Sequence, residues 1–206
     1  SRLWPLSRSE YPKQYNAFLS DASLFQSAIE RARAFSDQVM VVAGESHRYL
    51  IQDQSKARDV SPTILLEPCP RDTAAAVALA AHYWRQADPL MLVMPADHVI
   101  EDQAHFEAAV TSATPFAEQG HLVTFGCRPE HPSTAYGYIQ RGAALSDRVY
   151  AVKAFCEKPN DTLAQTFLAA GDYDWNAGIF LFKASAFLDE LSRYALEIYD
   201  KTLLSM

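Results

Sequence analysis

Leu90-Met91-Leu92-Val93-Met94-Pro95-Ala96-Asp97-His98 sets five apolar residues in a row ahead of a proline and a carboxylate. An unbroken apolar run, rather than an alternating one, is the pattern of a strand covered on both faces, which places it mid-sheet. In open α/β sheets ligands bind beyond the carboxyl ends of strands. Asp97 therefore stands where a carboxylate can hold a divalent cation against a substrate phosphate. The competing role is a helix cap, but helical periodicity resumes only near Asp102. His98 reads as a packing or orienting neighbour rather than a metal ligand.

Outward from this stretch, short apolar runs alternate with longer amphipathic ones. Strands are expected at Val39 to Ala43, Thr63 to Leu66, Leu90 to Met94, His121 to Gly126, Val149 to Phe155 and Ile179 to Phe182. Helices are expected at Leu24 to Ala34, Thr73 to Gln86, Asp102 to Ala117, Thr162 to Ala170 and Ser185 to Tyr194. Ser23 and Gln26 have the spacing of a capping box, Asp161 is placed to cap the helix after it, and Gly171 to end that helix. From Gly126 to Gly142 the sequence turns to Pro, His, Ser, Tyr and Gly, a loop-rich excursion with a short extended piece at Tyr138 to Gln140. No repeat or linker divides the chain, so one domain is expected, continuing beyond Met206.

Composition narrows the partners. Of 206 residues 49% are hydrophobic and 21% charged, as in a folded globular protein. The net charge of -7 supplies no basic field for a nucleic acid backbone. No apolar run is long enough to span a membrane. Cys69, Cys127 and Cys156 are odd in number and lack metal-ligand spacing, which fits a reducing, cytoplasmic compartment. The chain opens on Ser1 with no signal peptide, which suggests that its start is missing. P-loop, dinucleotide and G-x-S-x-G motifs are absent.

Five further segments carry candidate chemistry. Arg2, Arg8 and Lys13 put three cations in a proline-stiffened opening that suits a polyphosphate, or else simply solvate a frayed terminus. Glu67 to Thr73 joins a strand to an Ala-rich helix, where backbone N–H groups face a ligand or an ordinary cap closes the helix. Glu157-Lys158-Pro159 follows a strand and Trp175-Asn176-Ala177-Gly178 precedes one. A carboxylate, an ammonium and an amide can thus meet at one sheet edge, as a sugar phosphate requires, the plainer alternative being a surface ion pair beside a packed Trp175. Gly137, between Tyr136 and Tyr138, lets backbone approach a sugar ring or simply serves an edge hairpin.

In order, Ser1 to Ser7, Pro12-Lys13-Gln14, Glu67-Pro68, Thr73-Ala74, Pro95 to His98, Tyr136 to Ile139, Glu157 to Pro159 and Trp175 to Gly178 resemble the mannose-1-phosphate guanylyltransferase family (GDP-mannose pyrophosphorylases). The likeness is to the bacterial type often fused to a phosphomannose isomerase domain. It implies an α/β, Rossmann-like nucleotidyltransferase fold with a mostly parallel mixed sheet flanked by helices. Residues 1–206 would form one nucleotidyltransferase domain, with a Gly-rich loop upstream and a C-terminal part outside the chain.

The implied reaction converts GTP and mannose 1-phosphate to GDP-mannose and pyrophosphate with Mg²⁺. Arg2 and Lys13 would hold the triphosphate, Asp97 the metal and Lys158 the sugar phosphate. Glu157, Asn176 and Gly137 would grip the mannose, while Glu67, Arg71 and Thr73 would lie near guanine and ribose. The family's Thr-Gly-Tyr-Gly-Tyr reads Thr134-Ala135-Tyr136-Gly137-Tyr138 here. A thymidylyl- or uridylyltransferase for another hexose 1-phosphate and a non-catalytic nucleotide-sugar-binding regulator are the alternatives. A homo-oligomer is compatible with the sequence.

Overall fold

A computed structural model describes residues 4–8, 10–18, 20–69 and 73–206. A single 3-10 turn, Lys13–Tyr15, leads into α1 (Leu24–Arg33), β1 (Met40–Gly44), α2 (Arg48–Lys56) and β2 (Thr63–Glu67). There follow α3 (Thr73–Trp84), β3 (Leu90–Val93), α4 (Gln103–Glu118), β4 (Val123–Cys127), β5 (Tyr138–Ala144) and β6 (Tyr150–Cys156). The chain closes with α5 (Asp161–Ala170), β7 (Tyr173–Lys183), α6 (Ala184–Tyr194) and α7 (Leu196–Leu204). The expected α/β class with helix-flanked sheets is what forms, but parallel and antiparallel pairing fall in two separate sheets and most pairings are antiparallel rather than parallel. None of the helices among the described residues is long and apolar enough to cross a membrane.

Pairing divides the strands into two sheets. β1 and β2 run parallel from Met40 opposite Thr63 to Gly44 opposite Glu67. The second sheet has the order β3-β7-β5-β6, with β4 also on β7, and its pairings are antiparallel. β3 therefore pairs with β7 alone among the described strands, which corrects the mid-sheet placement. Its apolar run does have both faces covered: Leu90, Leu92 and Met94 pack against Phe106 and Val110 of α4, while Met91 packs against Ala81, Ala184 and Leu188. A continuous apolar run reports covered faces and carries no information about which edges are paired.

Local chemistry sets the helix ends. The Ser23 hydroxyl accepts from the Gln26 N–H while the Gln26 amide oxygen accepts from the Ser23 N–H, the expected reciprocal box. Asn160, not Asp161, caps α5, its Oδ1 accepting from the Leu163 N–H at 2.9 Å. Asp161 is the first helical residue, where its charge meets the positive end of the helix dipole. Gly171 ends α5 with φ +73°, a conformation that only glycine adopts without strain. Asp102 caps α4 by accepting from the His105 N–H at 2.8 Å, which leaves Asp97 free of a capping role.

Two helices lie beyond the expected set. In α2 only Ile51 and Ser55 are buried, so its polar composition hides the helical period. In α7 only Thr202 is buried, and apolar Leu196 and Leu204 stay exposed, so its pattern does not mark a buried face. β5 and β7 also extend past the expected boundaries, because cross-strand pairing holds polar residues that local propensity leaves in loops.

The Ala-rich α3 lies against β1, β2, α6 and α7, tying the two sheets together. Ala78 and Ala81 are fully buried, and side chains this small allow close helix approach. His82 is also buried and meets the Tyr199 ring of α7 edge-on at 5.1 Å. Burial pushes its imidazole below the ordinary histidine range. As pH falls through about 6.5, the unfolded chain takes up this proton before the folded one, so His82 withdraws stability on the acid side. Chemical denaturation of His82→Gln between pH 7 and 5 is expected to give a shallower loss of stability than the parent protein.

Candidate functional site

Lys13 sits on the 3-10 turn, which is anchored through its last residue, Tyr15. The Tyr15 ring is buried in a cluster with Phe25, Ile29, Ile51 and Val60. Its carbonyl accepts from the Gln54 amide of α2 at 2.9 Å and from the Tyr11 hydroxyl at 3.0 Å. Gln54 also accepts from the Ser23 hydroxyl at 2.6 Å, so one side chain joins α2, the start of α1 and the turn. From this platform Lys13 Nζ reaches Asp97 Oδ2 at 2.5 Å.

Asp97 lies on the loop after β3, whose Ala96 packs into the same apolar cluster as Tyr15. Its other oxygen, Oδ1, is 4.0 Å from His98 Nε2. Arg31 of α1 is buried and donates from Nη2 to the His98 carbonyl at 3.5 Å, while its Nε and Nη1 have no partner among the described residues. Burial pushes the His98 imidazole down, the Asp97 charge opposes this, and the Lys13 and Arg31 charges reinforce it. His98 thus serves the loop as a neutral ring at neutral pH.

A second group forms where β5, β6 and β7 meet. Gly137 is buried beside Tyr138, whose hydroxyl accepts from the Ser133 N–H at 2.9 Å. The Gly137 carbonyl accepts from the Asn176 N–H at 2.8 Å. A Cβ at position 137 would stand 2.6 Å from Glu157 Oε2 and 3.5 Å from Asn176 Cβ. The absence of a side chain there is what lets Glu157 and Asn176 converge. Asn176 Oδ1 accepts from the Thr124 hydroxyl at 3.2 Å and the Gly178 N–H at 3.1 Å, which leaves its amide nitrogen as a donor.

Lys158 takes φ +44°, uncommon for a non-glycine residue. Its ammonium lies 3.1 Å from Glu157 Oε1, with both side chains largely exposed. Trp175 packs between the rings of His131 and Tyr136 and against the buried cluster around Tyr138, a core role.

The two groups share a rim. Gly178, at φ +65°, approaches the loop that carries Asp97, its ideal Cβ position lying 3.7 Å from Pro95 Cγ. Asn176 to Gly178 therefore touches the Gly137–Glu157 group on one side and the Asp97 loop on the other. Among the expected site residues, Lys13, Asp97, Gly137, Glu157, Lys158 and Asn176 fall into this arrangement.

Glu67 ends β2 opposite Gly44 and is buried, which pushes its carboxyl above the ordinary range. Thr73 opens α3 and is exposed. The hydrogen bonds and ion pairs found among the described residues join neither to the two groups. Arg2 and Arg71 lie outside the described residues. Sequence reading missed Gln54, Arg31 and Thr124. Gln54 was detectable only through the i, i+4 pairing of Ile51 with Ser55, and Arg31 only as a cation within an otherwise apolar helix face.

The Nucleotidyl transferase family model matches residues 1–205, and the chain belongs to that family. The chain is 46% identical over 212 residues to the alginate biosynthesis protein AlgA of Pseudomonas aeruginosa, covering all of this chain and 44% of that protein. It is 45% identical over 210 residues to a mannose-1-phosphate guanylyltransferase of Escherichia coli K12, covering 97% of this chain and 44% of that protein. It thus spans less than half the length of these relatives. A solved Helicobacter pylori structure, described as a mannose-6-phosphate isomerase, superposes with a TM-score of 0.86 at 36% identity, covering 95% of this chain and 75% of that one.

Nucleotidyl transfer of this kind generally uses a divalent metal; of the two carboxylates at the rim, Glu157 stands on the Gly137 side and Asp97 on the Lys13 side, where it could hold one. Among the described residues no group of three or more His, Cys, Asp or Glu side chains could hold a metal unaided. A hard cation bound by one carboxylate and completed by substrate phosphates and water fits that donor set.

The Gln54 bridge is open to direct test. Gln54→Leu leaves the Ser23 hydroxyl without its acceptor and removes one of two donors to the Tyr15 carbonyl. A loss of about 1 to 3 kcal/mol in denaturant unfolding is expected.

Proposed function

We propose that the protein transfers a guanylyl group from GTP to mannose 1-phosphate, releasing pyrophosphate and GDP-mannose in the cytoplasm. The observation that carries this reading is the shared rim, where Lys13 and Asp97 stand beside Gly137, Glu157, Asn176 and Lys158. A polyphosphate site and a sugar-phosphate site at one edge are what such a transfer requires. The matched family and the name of the Escherichia coli relative support the choice of reaction class and substrates.

In this reading a phosphate oxygen of mannose 1-phosphate attacks the α-phosphorus of GTP in line. The bond from that phosphorus to the bridging oxygen breaks, and pyrophosphate departs with the electron pair. No covalent enzyme intermediate is needed, so the chain's task is positioning and charge compensation. Lys13, joined by Arg2, holds the triphosphate, and Lys158 holds the sugar phosphate.

The amide nitrogen of Asn176 and the Glu157 carboxylate hold sugar hydroxyls, with Gly137 leaving room for both. Glu67, Arg71 and Thr73 are assigned to guanine and ribose. Asp97 holds Mg²⁺, which when bound offsets the negative charge that builds on the transferring and leaving phosphates.

Pyrophosphate release with mannose 1-phosphate and Mg²⁺, comparing GTP with ATP, UTP and dTTP, tests the reaction. GTP-selective release is expected, and Asp97→Ala is expected to lower it by about 100-fold or more. Release with none of the four nucleotides would instead favour a binding protein for nucleotide sugars. Gly137→Ala tests the sugar side. The groups it meets first, Glu157 Oε2 and the tip of the Phe155 ring, are far ends of side chains, so the fold should survive. Displacement of Glu157 is expected to raise KM for mannose 1-phosphate several-fold more than it lowers kcat, as steady-state kinetics would read.

A further inference from the structure

The contact between Lys13 and Asp97 sets two of the proposed functional groups against each other. An ammonium already 2.5 Å from Asp97 Oδ2 takes up one of the two oxygens a metal could use and offsets the charge of the carboxylate. Resting on the function proposed above, we infer that Lys13 holds Asp97 closed in the free protein and yields it to the metal when a polyphosphate takes the ammonium. Metal and nucleotide thereby enter together.

Which partner moves depends on how each is held. The Asp97 loop is fastened at three points: Pro95 lies close to Gly178, Ala96 packs in the apolar cluster, and the His98 carbonyl accepts from buried Arg31. Lys13 has a secured backbone, but its side chain is about half exposed (48%) on a flexible four-carbon stem. Moving the carboxylate would disturb packed backbone, whereas moving the ammonium rotates a few side-chain bonds. A triphosphate, with several negative charges, is the stronger partner for that ammonium.

The surrounding charges act in the same sense. Arg31 is buried behind the loop, its guanidinium donating to the His98 carbonyl next to Asp97. A bare dication approaching Asp97 therefore meets two cations, one of them in direct contact with its ligand. A metal carried on a polyphosphate arrives with net negative charge and supplies the anion that draws Lys13 away. By thermodynamic reciprocity, nucleotide must then tighten metal binding as much as metal tightens nucleotide.

The test is Mn²⁺ binding to the full-length, nucleotide-free protein, read by electron paramagnetic resonance of the unbound ion. Removing the competing charge in Lys13→Met is expected to tighten Mn²⁺ binding roughly tenfold, as loss of a cation in contact with a carboxylate should. Lys13→Gln, which keeps a polar side chain without the charge, is expected to match it, and a folded Gln variant decides the matter if the Met variant does not fold. Adding Asp97→Asn to either variant should abolish the gain. Unchanged or weaker binding in the Lys13 variants, with whatever binding there is still lost in Asp97→Asn, overturns the exchange and leaves Asp97 as the ligand. Mn²⁺ binding that survives Asp97→Asn overturns the exchange together with the metal role assigned to Asp97.

Discussion

The register of β7 is the constraint on which the rim depends. Its C-terminal half is gripped from both sides, with Phe180 opposite Val93 of β3 and opposite Thr124 of β4. Its N-terminal half lies against β5, with Trp175 opposite Tyr138. Between these halves come Asn176 and Gly178, the two residues that touch both parts of the site. Side chains alternate faces along a strand, so a slip of one residue would send Asn176 to the far face. Three neighbouring strands hold that register, with β4 shifting by a bulge against β7 between Asn176 and Phe180.

Charge is handled differently at the two ends of the rim. Around Asp97 it is placed in depth: Lys13 lies at the surface and Arg31 behind the loop, with Nε and Nη1 unpartnered among the described residues. A buried cation is costly, and here its field falls on the loop bearing the carboxylate. Around Glu157 the charges are exposed and adjustable, with Lys158 and Glu157 paired at the surface. Such a pair contributes little to stability and is easily parted. A stiff anionic point facing a pliable one suits the transfer proposed above, which would bring two phosphate-bearing groups together.

Much of this was legible in the sequence, and for identifiable reasons. Continuous or periodic apolar runs gave the main strands and five of the helices, because they record which faces are covered. Asp97 is singled out as a candidate by its place after a strand, and Gly137, Glu157 and Asn176 by short motifs whose spatial meeting the chain order alone does not state. What stayed hidden depends on long-range pairing. β3 looked central because its faces are covered, though it pairs on one edge among the described strands. α2 escaped notice because its buried face is only Ile51 and Ser55 wide. Gln54 and Thr124 act through bonds to residues distant in the chain, which composition and periodicity do not record.

The pairing of Leu90 with Lys183 has a consequence for how the protein is made. A ladder between segments so far apart in the chain cannot close until nearly all the intervening polypeptide exists, and closing such a loop is slow compared with forming helices. On the ribosome, β1 and β2 can pair early, whereas Asn176 and Gly178 reach the Asp97 loop only after β7 has emerged. The rim therefore assembles after the segments that precede β7, and no ligand can lodge there to guide their folding.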